Sequence, residues 1–389
     1  MKRFTLLTIF CTLCTTLAIS AQEGATTEKA NLEAQVDSLK QCLAKAEKRE
    51  KTKAKVKEVF SKYLKFSGYI QAGYDWNDKK DGTSTFHLRR ARVSLAGTVF
   101  DNKKGGKADY RLQVDFARTP TIVDLYIRYQ PVHEFGVQVG QFKLPISLEN
   151  TDYNATKLEF VNYAMPVQRL ARLGSGDMTG ISATGRDIGV KLYGGFIHRD
   201  GFSIINYEVG AFNGAGINTK DNNKSKDIAA RLTIQPLKLL KIAGYYQYGE
   251  GDGASLSSKY PAILAGAAEN YNLKYLTYHR YGGGFDYNND FLFARAEYLG
   301  GKTGDLSSEG AYGQVGYKFL KKCTVGVRFD YFDENKHAAG HQFNYSVALS
   351  YRPWKYLRLQ AEYTLEQYRN MSAPRPFGNC LYLMVTGIF

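Results

Sequence analysis

The sequence predicts an all-β chain: a transmembrane antiparallel β-barrel of about sixteen strands, preceded by a short periplasmic coiled-coil helix. Three observations predict it. The last nine residues place Leu381, Leu383, Val385, Gly387 and Phe389 on one row and stop on that aromatic. Period-two alternation gives a strand one apolar and one polar face, and in a membrane a closed barrel satisfies the backbone of such strands. The composition agrees: 29 Tyr, 22 Phe and 38 Gly suit aromatic girdles and tight strand packing. Third, short and long connections alternate along the chain, as they do in bacterial outer-membrane barrels.

The elements follow in order. Lys2 and Arg3 precede an apolar run from Phe4 to Ile19, closed by Ser20 and Ala21. This is the layout of a signal peptide, residues 1–21, cut after Ala21. Cys11 and Cys14 leave with it. Cys42, Cys323 and Cys380 remain, an odd and widely spaced set that is neither a disulfide framework nor a metal site. Residues 22–64 read as a periplasmic helical segment. Leu32, Val36, Leu39, Leu43 and Ala46 recur at steps of four and three, a coiled-coil seam, and the basic stretch Lys48 to Lys57 continues it as a solvated spacer. Packing of this helix on its own barrel is the other reading.

Residues 65–389 form the barrel. Strands are predicted over Phe66–Trp76, Phe86–Val99, Asp109–Ala117, Ile122–Gln130, Phe135–Phe142, Arg186–Phe196, Phe202–Phe212 and Asp227–Gln235. The second half reads Leu239–Tyr248, Thr277–Tyr287, Phe291–Gly300, Gly310–Phe319, Cys323–Phe332, Gln342–Arg352, Tyr356–Gln367 and Asn379–Phe389. Turns such as Pro131–Glu134, Ile197–Gly201 and Pro353–Lys355 alternate with longer links such as Lys143–Gly185 and Gly249–Leu276. The exceptions are a long second connection, Phe100–Ala108, and a short third one, Arg118–Thr121. An even strand count returns the C-terminus to the side of the helix, the periplasm. A soluble sandwich or propeller fits poorly, because the apolar rows are aromatic-rich and no blade-length repeat is present.

Three stretches carry a family resemblance: Arg89-Arg90-Ala91-Arg92-Val93-Ser94-Leu95-Ala96-Gly97, Gly140-Gln141-Phe142-Lys143-Leu144-Pro145 and Gly210-Ala211-Phe212-Asn213-Gly214. With them the chain resembles the phosphate-selective porin O/P family of Gram-negative outer membranes. The resemblance implies a sixteen-stranded barrel, a homotrimer and passive uptake of anions through a basic constriction. It leaves the solute open.

The residues give the same channel more concretely. The connection 143–185 is by far the longest, and a loop of that length in a compact fold is usually functional. It is expected to fold into the lumen, where Arg169 and Arg172, with no acid in the stretch Phe160–Gly174, narrow the pore with positive charge. Alternation turns Arg90, Arg92, Arg111, Arg128, Lys191, Arg231, Arg295 and Arg358 inward, with Lys241, Lys318 and Arg328. Asp109, Asp115, Asp124, Asp187, Glu208, Asp286, Glu297, Asp330 and Glu362 share those faces. Guanidinium keeps its charge and matches phosphate with a fork of donors. The expected partners are small anionic solutes such as phosphate and outer-membrane lipid, with two further copies of the chain as the resemblance implies. A mixed lumen equally suits a general diffusion porin, and a plugged structural or adhesive barrel is a third reading.

Other functions find little support. The formal net charge of +15 is interleaved with strand alternation and no reader motif is present, which argues against nucleic acid. The six histidines form no H-E-x-x-H pair and no G-x-S-x-G serine occurs, so no enzyme, cofactor or metal is indicated. The acidic glycine loop Gly249–Gly253 could hold calcium, but such loops are more often merely flexible.

Overall fold

A computed structural model describes residues 27–79, 82, 84–102, 106–174, 176–181, 184–221, 223–252, 275–337, 340–370 and 376–389. The leader at residues 1–21 and part of the Gly249–Gly253 loop lie outside the described residues. The chain divides into two units, Met1–Ser61 and Lys62–Phe389.

The first unit is the helix α1, Thr27–Tyr63, which runs on into the start of the second. Glycine and proline are absent from it, and Ala, Glu, Lys, Leu and Gln dominate, all strong helix formers. The seam residues Val36, Leu39 and Leu43 are 41%, 56% and 49% exposed.

The second unit is a closed sixteen-stranded antiparallel barrel. Its strands are β1 Lys65–Asn77, β2 Ser84–Asp101, β3 Lys107–Asp115, β4 Thr121–Val132, β5 Phe135–Lys143, β6 Arg186–Arg199, β7 Phe202–Phe212 and β8 Asp227–Leu237. They continue as β9 Leu240–Asp252, β10 Tyr275–Asn288, β11 Leu292–Thr303, β12 Leu306–Phe319, β13 Cys323–Asp333, β14 His341–Trp354, β15 Leu357–Arg369 and β16 Phe377–Ile388. The second connection is shorter than read because β2 extends to Asp101 and β3 starts at Lys107. There Asn102 Oδ1 accepts the Gly106 N–H at 2.8 Å. At the same end, Asp200 and Gly201 take φ of 50° and 82° between β6 and β7, the left-handed pair that a two-residue hairpin requires.

The barrel closes between its first and last strands. Gly68 donates its N–H to the Phe389 carbonyl at 2.8 Å and Phe389 returns the bond at 2.9 Å. A Cβ at Gly68 would meet the Phe389 ring at 2.4 Å and the Arg92 backbone carbonyl oxygen at 2.7 Å, and it is the backbone contact that makes the seam require glycine here.

The two wall faces differ completely. On β14, Tyr345, Val347, Leu349 and Tyr351 are exposed, while Gln342, Asn344, Ser346 and Ser350 between them are buried. Strand β15 repeats the pattern, with Leu359 and Tyr363 outside and Arg358, Gln360, Glu362 and Thr364 inside. Such an exposed apolar belt far exceeds the few hundred Å² of patch a soluble protein shows, and only hydrocarbon solvates it well.

Candidate functional site: the inward loop and its cavities

Between β5 and β6 the chain does not run free. It contains two short helices, α2 Leu148–Asp152 and α3 Met165–Leu170. Leu144, Ile146, Met165, Val167, Leu170 and Met178 pack with Phe212, Tyr245, Leu299, Tyr312 and Phe332 in one buried cluster. These wall residues come from β7, β9, β11, β12 and β13, so the loop lies against the inner face of that half of the wall.

Ion pairs and hydrogen bonds fix it. Arg295 on β11 meets Asp286 at 2.9 Å, Glu159 at 3.3 Å and Glu149 at 3.4 Å, and stacks 3.6 Å from the centre of the Tyr153 ring. Arg231 on β8 holds Asp152 through both terminal nitrogens at 2.9 and 3.0 Å. Arg328 on β13 reaches Asp330 and Glu362 at 3.1 Å each and donates to the Asn162 carbonyl at 2.9 Å. Glu297 accepts the Ser147 hydroxyl at 2.9 Å and the Leu148 N–H at 2.6 Å. Ser147 adopts φ 65° and Arg172 φ 59°, a conformation a non-glycine residue holds only when its surroundings over-determine it.

The loop carboxyls show the balance of burial against these cations. Burial alone raises Asp152, but Arg231 and then Lys241 outweigh it and hold the carboxyl down at about 2. At Glu149 burial wins over Arg295 and Arg328 and pushes the carboxyl up to about 7.

Asp187, Asp286 and Glu297 on this half of the wall are engaged by loop residues Arg172, Tyr153 and Ser147, and the opposite wall carries a basic cluster. A cavity of about 290 Å³ lies between the loop and β1–β3. Arg90, Arg92, Arg111, Lys143 and Arg186 line it, and among the described residues no Asp or Glu side chain does. Arg92 is backed by Asp115 at 2.8 Å, and Arg111 and Arg186 by Asp124 at 3.4 and 2.7 Å. Arg90 bonds instead to Gln71 Oε1 at 2.9 Å and Lys143 to the Tyr153 carbonyl at 2.7 Å. Among the described residues no Asp or Glu forms an ion pair with either.

The structure sorts the candidate pore residues. Arg90, Arg92 and Arg111 come together at this cavity, and Arg169 borders a second one, of about 390 Å³. Arg128 is held on both oxygens of Asp109 at 2.9 Å and Lys191 by Glu208 at 2.5 Å. Arg358 is turned onto Ser350 Oγ at 2.7 Å and the Thr156 carbonyl at 3.0 Å. The reading of Arg172 and Arg295 as lining residues is corrected: both are 1% exposed. Arg172 meets Asp187 at 2.9 Å, an acid outside the stretch that reads as acid-free, and Arg295 is enclosed by its three carboxylates. Arg231, 5% exposed and bound to Asp152, likewise anchors the loop.

Arg89, Lys143 and Arg186 were not among the expected lining or anchoring residues. Arg89 turns inward because β2 slips register opposite Gln71 and Ala72, a bulge that re-aims a side chain, and it reaches Asn162 Oδ1 at 2.8 Å. Lys143 and Arg186 mark the two ends of the loop in the sequence, which is the signal that could have found them.

A family model described as phosphate-selective porin O and P matches residues 64–377. The chain belongs to this family. Its barrel is the family's outer-membrane porin fold, a channel rather than an enzyme architecture. The porin is similar in fold to the anion-selective porin from Comamonas acidovorans, at 13% identity and TM-score 0.64 over 84% of this chain and 99% of that one. It is also similar to the outer-membrane protein OmpT of Vibrio cholerae, at 12% identity and TM-score 0.57 over 84% and 97%. The outer-membrane channel DcaP of Acinetobacter baumannii shares 14% identity and TM-score 0.54 over the same fractions. No curated protein matches the porin's sequence.

Proposed function

We propose that this porin lets small anions such as phosphate diffuse across the outer membrane past the constriction between the inward loop and β1–β3. One observation carries the reading: four arginines and a lysine, and among the described residues no Asp or Glu side chain, line the inner cavity. Low-dielectric walls focus the field of such a cluster, so a charge there affects permeation more than one in an open vestibule. The guanidinium forks suit phosphate in particular. The alternation of short turns and long links supports placing the C-terminus and α1 in the periplasm. The apolar heptad seam of α1 supports a partner helix from another copy, and a trimer matches the form recorded for OmpT of Vibrio cholerae.

The mixed-charge lining of the second cavity, where Lys79 and Arg328 stand beside Glu362 and Glu366, favours a general diffusion porin as the second reading. Reversal potential across a salt gradient in planar bilayers separates the two. Arg90→Glu combined with Lys143→Glu is expected to lower the anion-to-cation permeability ratio about tenfold, the lower end of the range for field-focusing clefts. Arg128→Gln, away from the cavity, is expected to leave it unchanged. A double variant that keeps the wild-type ratio rules out this constriction.

A further inference from the structure

Tyr163 borders both cavities, yet the two differ in chemistry. The outer one, toward the long-loop end, is flanked by α3 and strands β13–β16. Its carboxylates are already engaged. Glu366 holds Lys79 at 2.7 Å and accepts the Tyr368 hydroxyl, and Glu362 holds Arg328 and accepts the Asn162 N–H at 2.9 Å.

Arg169 contributes the remaining charge: among the described residues no carboxylate pairs with it. Its guanidinium lies 5.7 Å from the centre of the Phe332 ring and donates to the Gly176 carbonyl at 3.2 Å. The rest of the lining is neutral. Gln342 Nε2 donates to Asn344 Oδ1 at 2.8 Å, which leaves the Gln342 carbonyl as an acceptor and the Asn344 amide nitrogen as a donor. Gln168 and Tyr382 add further neutral groups of both kinds. A bare phosphate is mainly an acceptor and has little use for such a wall. Hydroxyl groups, each both donor and acceptor, match it. At about 390 and 290 Å³ the two spaces sit near the lower end of small-molecule sites.

We propose that the porin's solute is a phosphorylated polyol of monosaccharide size, a sugar phosphate. The outer cavity engages its hydroxyls while the inner basic cavity takes its phosphate, with Tyr163 between them. This rests on the anion-porin reading and narrows it to a solute class.

The test uses the full-length protein in planar bilayers, with chloride current titrated by glucose 6-phosphate, inorganic phosphate or glucose. Glucose 6-phosphate is expected to half-block at about tenfold lower concentration than inorganic phosphate, the gain that one or two extra neutral hydrogen bonds give. Glucose alone is expected not to block in that range. Gln342→Ala with Asn344→Ala is expected to bring glucose 6-phosphate to the level of phosphate and leave phosphate block unchanged. Equal block by the two anions in the unmodified protein overturns the inference alone, without reliance on a variant that must fold. Retention of the tenfold difference in the double variant also overturns it. Absence of phosphate block together with absence of anion preference defeats the anion-porin reading itself.

Discussion

Glu149 shows how one side chain couples the loop to pH. Its carboxyl is buried beside Arg295 and Arg328, with Glu297 as a like charge, and accepts the Ala164 N–H at 2.9 Å. Burial raises it from 4.5 to about 7, so the folded protein binds a proton that the unfolded chain releases at lower pH. The sign follows from linkage: the contribution to stability is fully present below the unfolded value and is lost as pH rises through the folded one. Thermal unfolding midpoints are therefore expected to fall between about pH 5 and 7. Glu149→Gln, which keeps the acceptor and removes the titration, is expected to flatten that slope. An unchanged slope in the variant would assign the effect to another group.

At the scale of elements the β2 bulge is the informative case. It inserts Arg89 beside Arg90 and lets both serve the loop side. Deleting Arg89 is expected to restore a regular ladder with β1, because residues on either side keep their faces. Heat-modifiable migration should then persist, whereas the bond to Asn162 is lost and the permeability ratio moves toward cations. Loss of heat-modifiable migration in the deletion would make the bulge part of the barrel's own register. Period-two alternation made the strands legible: Phe202–Phe212 is found with both ends as read, and Gly310–Phe319 gains only the four residues from Leu306. Alternation reports which face a side chain takes and nothing about what lies across the lumen. Arg90 and Arg172 both read as inward bases; one faces a cavity while the other is matched to Asp187 fifteen residues later. Arg89 was illegible for a sharper reason, since a bulge breaks the period from which facing is inferred.

For the whole molecule, the separation into two units predicts that a chain beginning at Lys62 still forms the barrel. Tyr63 has to stay, because its carbonyl accepts the Tyr110 hydroxyl at 2.6 Å. Heat-modifiable migration should survive this truncation, and its loss would show that α1 is needed for closure. The seam has a kinetic consequence. Gln71 donates to Thr386 Oγ1 at 3.2 Å across a sequence separation of 315 residues, so the closing ladder joins almost the two extremes of the barrel chain. Non-local pairings of this kind carry the loop-closure entropy early and fold slowly. Until the last strand arrives, β1 and the growing edge both present unpaired backbone groups, which invites association with any other strand. During assembly the chain is thus most vulnerable at the two strands that, once joined, leave the finished barrel with no edge at all.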